Sequence, residues 1–485
     1  MKLRNLSYTL FLFVVFVGFS HVLKAQPNTL YFMKGIPQTK DINPARPGIL
    51  KGYYFSMPLF SKFDLAFNTN NWAYNDLIHL GEGNRADSLV IDLDKFLGSI
   101  GKKNFVYESA ALTVLEGGFK KGKNFFAVSL TEREFAEVFF NKNLVKLIKI
   151  GNYPYLGETY YSGNFGVSAQ HYREFAFNYS RDVTKKLTIG GAAKILFGMS
   201  AVQTDGINLK ATSPANGESL DVIVTGRMNI SAPVKFTYSP YDEIKSMKVI
   251  PNYSISDYMS NFQNPGIAVD LGFAYRLNKK TELSASVIDF GMIGWSSNVT
   301  KFTERGHYLY RGINLNDSRE NPPVINQFGA IIDSLGEVIS KSFRPTHSES
   351  GFSTLLPTKI YLGIDYQLRD AISLSGLSRI RIINNTVRTS FTGSANALFW
   401  EKISLSASYS VMESTFDNLG LGIGIRAGIF QLYTAADNLF SPFYPSKARN
   451  INLRMGINLI FDGKSDEKSG RKGGSGLNPN CQCPY

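Results

Sequence analysis

The chain has 485 residues, 44% hydrophobic and 19% charged, with a formal net charge of +13. A mean hydropathy of −0.10 excludes a bundle of apolar transmembrane helices, while the length admits several domains or one large closed sheet. With 36 Phe and 25 Tyr against 3 Trp and 2 Cys, the composition suits strands and interfacial aromatic girdles and leaves no disulfide scaffold.

Residues 1–25 join Lys2 and Arg4 to an apolar run from Leu10 to Phe19 and end on the small Ala25. This reads as a secretory signal peptide cut before Gln26, although Leu23 is bulkier than the residue usual three before a cut. No later run is long enough to span a bilayer as a helix. The exported chain is therefore soluble or a β-barrel. Residues 26–50 carry Asn43, Pro44 and Ala45 ahead of the first strand-like stretch, MPLFSKFDLAFNTN.

Farther along, Asp92 and Asp94 form an acidic pair with no third ligand at a recognisable spacing, so a solvated loop is expected and no metal. AALTVLEGGFKKGKNFFAVSLTER reads as a hairpin turning at Lys120 to Lys123. Glu134 to Ile150 fits a short amphipathic helix, with Val138, Leu144, Val145 and Ile148 on one face. Two roles stand open for it: a loop helix packed on a rim, or a lip resting on the outer leaflet.

A recurring hairpin follows. Phe175, Phe177 and Tyr179 alternate before a polar turn at Asp182 to Lys186, and Leu187, Ile189, Ala193, Ile195 and Phe197 resume beyond it. Val269, Leu271, Phe273 and Tyr275 with Leu283, Ala285 and Val287 repeat the design, as do Ile360, Leu362, Ile364 and Tyr366 with Ile372 and Leu374. Short turns join strands at one end, whereas residues 133–160, 198–267 and 291–357 make long connections at the other. A sandwich has no reason to sort loop lengths by side, but outer-membrane barrels do so, with strands of about ten residues. Apolar side chains then meet lipid and their polar neighbours face a lumen.

On the polar face, parity places Lys194, Asp270, Asp365, Arg426 and Arg454 toward the lumen. They are candidate contacts for cargo or for an internal segment; the alternative is that they pair with one another and with water. His171 and Ser168 have opposite parity, so a hydrolytic site is not expected and no catalytic residue is assigned. Gly420, Gly422 and Gly424 alternate with Leu421, Ile423 and Ile425 as in a strand, which argues against a dinucleotide loop. No cofactor is expected.

The last strand, NINLRMGINLIF, sets Ile451, Leu453, Met455, Ile457, Leu459 and Phe461 on one face. Its closing aromatic resembles the C-terminal targeting signal of outer-membrane barrels. Residues 462–485, rich in Gly, Ser and Lys, read as a disordered periplasmic tail. Its Cys481 and Cys483 are too close for an unstrained bridge and read as exposed thiols, an exchange pair or a plain tail feature. A pI near 9.4 suits an anionic membrane surface or cargo, whereas nucleic acid is a poor partner for an exported chain with no recognisable basic module.

Asn43, Pro44 and Ala45 resemble the NPA element near the start of the long-chain fatty-acid transporter family, in which an N-terminal segment plugs a barrel of fourteen strands. The wider layout is similar to a family of uncharacterised exported proteins of Gram-negative bacteria, through the NPA segment, VSLTEREFAEV and AADNLFSPFYPSKARNINLRMGINLIF. These resemblances imply an all-β fold: a closed antiparallel transmembrane barrel of about fourteen strands over 51–461, with a plug-like segment at 26–50 and long extracellular loops, in the outer membrane. The expected role is passive transport of small hydrophobic or amphiphilic molecules. The alternative is a non-transporting barrel that anchors or assists a cell-surface or secretion assembly. Outer-membrane lipid, a hydrophobic small molecule and an assembly protein are the corresponding partners, and no enzymatic activity is expected.

Overall fold

The computed structural model describes residues 28–462 except 49–50, 59, 84–85, 152, 218, 239–243, 311–345, 413–414 and 442. The signal peptide expected over 1–25 and the tail beyond Asp462, with both cysteines, lie outside the described residues.

Alternating apolar and polar residues produce fourteen antiparallel staves that close on themselves. They are β1 (Gly52–Ser56 and Lys62–Thr69, one stave in two pieces), β2 (Lys103–Lys121), β3 (Asn124–Asn141), β4 (Gly166–Asp182), β5 (Leu187–Thr212), β6 (Asn264–Arg276) and β7 (Thr281–Trp295). The circuit continues through β8 (Thr358–Arg369), β9 (Ile372–Ile383), β10 (Thr386–Phe399), β11 (Ile403–Met412), β12 (Thr415–Ala427), β13 (Phe430–Ala436) and β14 (Asn450–Phe461). Each stave pairs with the next, and β14 returns to both pieces of β1 with Ser56 opposite Asn458 and Asp64 opposite Arg454. A closed sheet leaves no unpaired edge within the bilayer, the condition a spanning β structure has to meet.

Strict alternation puts the apolar set outside. Ile267 and Leu271 are 70% and 61% exposed, while Ala268 and Asp270 between them are buried. Such a belt in water would be a severe liability; in an outer membrane it is the lipid-facing surface. On β14, Met455 is exposed and Ile457, Leu459 and Phe461 are half-buried, but Ile451 and Leu453 are buried. That end of the last stave is therefore shielded, contrary to a uniform lipid face.

Six tight turns, at 122–123, 183–186, 277–280, 370–371, 400–402 and 428–429, share one end of the barrel, the periplasmic end of an outer-membrane protein. The sorting of connections is less strict than the sequence suggests. β9 and β10 are joined at the opposite end by Asn384 and Asn385, both with positive φ, as a two-residue hairpin turn requires. The long connections also carry structure. The outer half of β5 runs past the barrel and pairs with Leu220–Ser231, which in turn pairs with Val299–Tyr310. One face of this projecting sheet buries Ile207, Leu209, Val222, Val224 and Phe302.

The helix expected over Glu134 to Ile150 is only half present. Residues through Asn141 belong to β3, because Val138 and Phe139 pair with Val106 and Phe105 of β2, and cross-strand pairing outweighs helical periodicity there. The helix α1 spans Lys142–Ile150, with the Asn141 side chain accepting from the Asn143 N–H at 3.0 Å. Its Val145 packs with Trp72, Phe96 and Ile100, and its Leu147 against the projecting sheet. This packing is that of a loop helix on the rim.

Candidate functional site: the occupied lumen

The lumen holds the segment 28–48, which contributes no strand to the sheet. Leu30, Tyr31, Phe32, Met33, Ile36 and Ile42 form its buried apolar core together with Ile288, Tyr361, Leu377 and Tyr433 from the wall. Small wall residues make room for it. A Cβ at Gly420, Gly422 or Gly424 would fall 2.5, 2.4 or 2.7 Å from Thr29 Oγ1, Met33 Sδ or Ile36 Cδ1. The glycine run of β12 is thus a groove for this segment.

The NPA turn sits in a second notch. Gly190 and Gly272 face each other across β5 and β6. A Cβ at Gly272 would lie 2.2 Å from Asn43 Oδ1, and one at Gly190 would lie 2.4 Å from the Pro44 carbonyl oxygen. Asn43 donates from Nδ2 to Tyr31 Oη at 3.0 Å and to the carbonyl of Phe273 at 3.3 Å, and accepts from the Ala45 N–H at 3.0 Å. The turn is held by its own asparagine and by the wall's backbone.

Polar contacts tie the rest of the segment to most of the circuit. Thr29 Oγ1 lies 2.7 Å from Ser408 Oγ, Lys34 donates to Gln367 at 2.8 Å, and Arg46 pairs with Glu282 at 2.5 Å. The Gln38 amide donates to Asn458 Oδ1 at 2.8 Å, accepts from Asn458 Nδ2 at 3.0 Å and donates to Ser56 Oγ at 3.2 Å, so it spans the seam between β14 and β1. Asp41 takes hydrogen bonds from Lys40 and Lys62, and Lys40 also lies 3.0 Å from Glu116. Burial pushes the Asp41 carboxyl up, but the ammonium groups of Lys40 and Lys62 outweigh it and hold the group well below the usual carboxylate range.

Of the five charges assigned to the lumen from parity, four face it. Lys194 and Asp270 meet at 2.7 Å, and Lys194 also reaches Asp289 at 2.6 Å. Asp365 accepts from Ser375 and lies 4.0 Å from Lys34. Arg454 forms a two-point pair with Asp64. Arg426 is the exception: one residue before the end of β12, it folds round the periplasmic rim to Asp462 at 2.8 Å and the Gly428 carbonyl at 3.1 Å.

Several lumen residues escaped the sequence reading. Asp289 shares the parity of outward Val287, yet it is buried in the lumen, because β6 and β7 shift register at Asp270 and Asp289 adopts φ 59°. Its carboxylate holds Lys194 and, at 2.6 Å, Lys359. Lys359, Arg379, Arg381 and Arg388 were accessible to the same parity argument that found Asp365. At the outer end, Arg388 pairs with Glu137 at 2.7 Å and stacks 3.5 Å from the Phe105 ring centroid, while Arg381 lies 4.1 Å from that of Tyr107. Phe105, Tyr107, Phe135 and Ile383 form an apolar cluster at the same level. Staves β2 and β3 stand opposite β9 and β10, so these contacts cross the lumen. The segment 28–48 fills one end, and this layer bridges the other.

Other residues weighed from sequence have local roles. His171 is outward and lies 2.7 Å from Tyr258 Oη, while Ser168 is buried. Asp92 accepts from the Lys95 N–H at 2.8 Å as a helix cap, and Asp94 pairs with Lys149.

A family model described as a family of unknown function, DUF5723, matches residues 47–437. The chain belongs to this family. The NPA turn lies outside the residues matched in this DUF5723 protein. No curated protein matches it in sequence. Among solved structures it is similar to the Ralstonia pickettii toluene transporter TbuX, at 12% identity and a TM-score of 0.40 over 88% of this chain and 94% of that one. It is also similar to the P. putida toluene transporter TodX, at 10% identity and a TM-score of 0.36 over 91% and 96%, and to a Pseudomonas aeruginosa FadL homologue, at 10% and 0.34 over 88% and 94%. These likenesses are distant.

Proposed function

We propose that this barrel passes small hydrophobic or amphiphilic molecules passively across the outer membrane, and that segment 28–48 is its removable stopper. One observation carries the reading: the segment fills the lumen through side-chain contacts and glycine notches without joining the sheet. It can leave without breaking the backbone ladder that holds the barrel closed, so opening is separable from unfolding. The charged lining favours the amphiphilic end of the class, because an uncharged hydrocarbon gains nothing from Lys194, Asp289 or Arg454 and would desolvate them.

The test is solute uptake by liposomes carrying the purified protein. Thr29 and Ser408, whose hydroxyls are in contact, are replaced by cysteine in a chain whose Cys481 and Cys483 are serine. Oxidation is expected to stop uptake and reduction to restore it, while deletion of residues 28–48 raises it. Absence of uptake for every solute class, in the reduced and the deleted forms alike, sinks the reading.

A second reading, a barrel that anchors a surface or secretion assembly, draws on the projecting sheet and on the exposed Tyr153 and Tyr161 beside it. A co-purifying protein lost on replacing those two tyrosines by serine would favour it.

A further inference from the structure

Between the stopper and the outer bridging layer lies a cavity of about 90 Å³ with an unusual lining. Six cationic side chains reach it, Lys62, Arg133, Lys359, Arg379, Arg381 and Arg454, against four acidic residues. The cations are ordered. Lys359, Arg381 and Arg388 stand directly opposite one another on β8, β9 and β10, and Arg379 occupies the neighbouring inward position of β9. Like charges set directly opposite on adjacent strands destabilise a sheet. The carboxylates of Asp289 and Glu137 answer Lys359 and Arg388 from other staves, and the Tyr107 ring faces Arg381. On the cavity wall, Nη1 of Arg454 is buried with no hydrogen-bond partner. A buried guanidinium N–H left without an acceptor is costly, and an anion in the cavity would supply one.

We propose that this cavity binds a compact oxyanion, a phosphate or carboxylate group, through the arginine row of β9 together with Arg454. A cavity of about 90 Å³ has room for one such group. Planar guanidinium forks match the paired oxygens of these anions, and the lining carries two more cationic than acidic residues. The proposal deepens the transport reading and rests on it for the route of entry, but binding is measured without permeation.

The experiment titrates the full chain in detergent with inorganic phosphate, and separately with a short-chain alkyl phosphate, by calorimetry. Saturable binding is expected. R379Q and R381Q should each weaken it about tenfold or more, the loss of one charged hydrogen bond, in barrels shown to be folded by heat-dependent electrophoretic migration. D289N, which removes a negative charge from the same wall, should tighten it. Binding of both probes identifies a free oxyanion as a sufficient ligand, and binding of the alkyl phosphate alone identifies an amphiphile's headgroup. No saturable binding of either probe, or identical affinity in R379Q, R381Q and D289N, overturns the site. Binding without liposome uptake keeps the site and removes transport; uptake without binding does the reverse.

Discussion

Arg388 on β10 and Glu137 on β3 meet at 2.7 Å from opposite sides of the barrel. They join walls that share no backbone hydrogen bonds, so the outer end of the lumen is bridged by side chains alone. Removing one partner strands a buried charge, at about 3–5 kcal/mol. R388Q and E137Q are each expected to lower the urea midpoint of the detergent-solubilised barrel, with the double variant recovering part of the loss. Strict additivity in that cycle would show that the two groups do not interact.

The notch for the NPA turn makes a sharper test of the stopper. In Gly272→Val the added carbon would fall on Asn43 Oδ1, while the outward faces of β5 and β6 are untouched. The barrel should keep its heat-dependent migration, and residues 28–48 should become cleavable by protease. Protection equal to wild type would mean the turn is not seated between Gly190 and Gly272.

Asp41 gives the stopper an acid-resistant contact with Lys40 and Lys62. Its folded pKa is depressed by Lys40 and Lys62, so its contribution is full above the unfolded carboxyl value near 4 and disappears only as pH falls through the lower folded value. Protease protection of 28–48 should therefore persist down to about pH 4. D41N should loosen the segment at neutral pH, since it leaves Lys40 and Lys62 short of a counter-charge. Loss of protection between pH 7 and pH 5 in the unaltered chain, both values well above that carboxyl range, would contradict this latch.

Leu271, well exposed on the outer face of β6, probes the lipid surface. L271R should cost about 2–4 kcal/mol in bilayer refolding titrations, whereas L271F should be nearly neutral. If the arginine is tolerated as well as phenylalanine, that face does not meet hydrocarbon.

The sequence carried the barrel because alternation, with a period of two, records which face of a stave is apolar; Ile267, Leu271, Ile364 and Leu405 all lie outside as their parity requires. The same rule placed Lys194, Asp270, Asp365 and Arg454 inside. It failed where the backbone departs from the ladder. A single left-handed residue at Asp289 reverses its parity, and the end of β12 lets Arg426 swing round the rim. Pairing across the lumen, as between Arg388 and Glu137, joins positions 251 apart and leaves no local trace. The glycines of β12 were legible as a strand but not as a groove, since nothing in their alternation announces the segment that lies against them.

Gln38 has a consequence for biogenesis. Its amide rests on Ser56 and Asn458, a register pair of the first and last staves. A slip of one position of β14 at that junction would turn Asn458 toward hydrocarbon and take from the glutamine the partner it both donates to and accepts from. The amino-terminal stretch is therefore complementary to a single register of the weld that completes the cylinder.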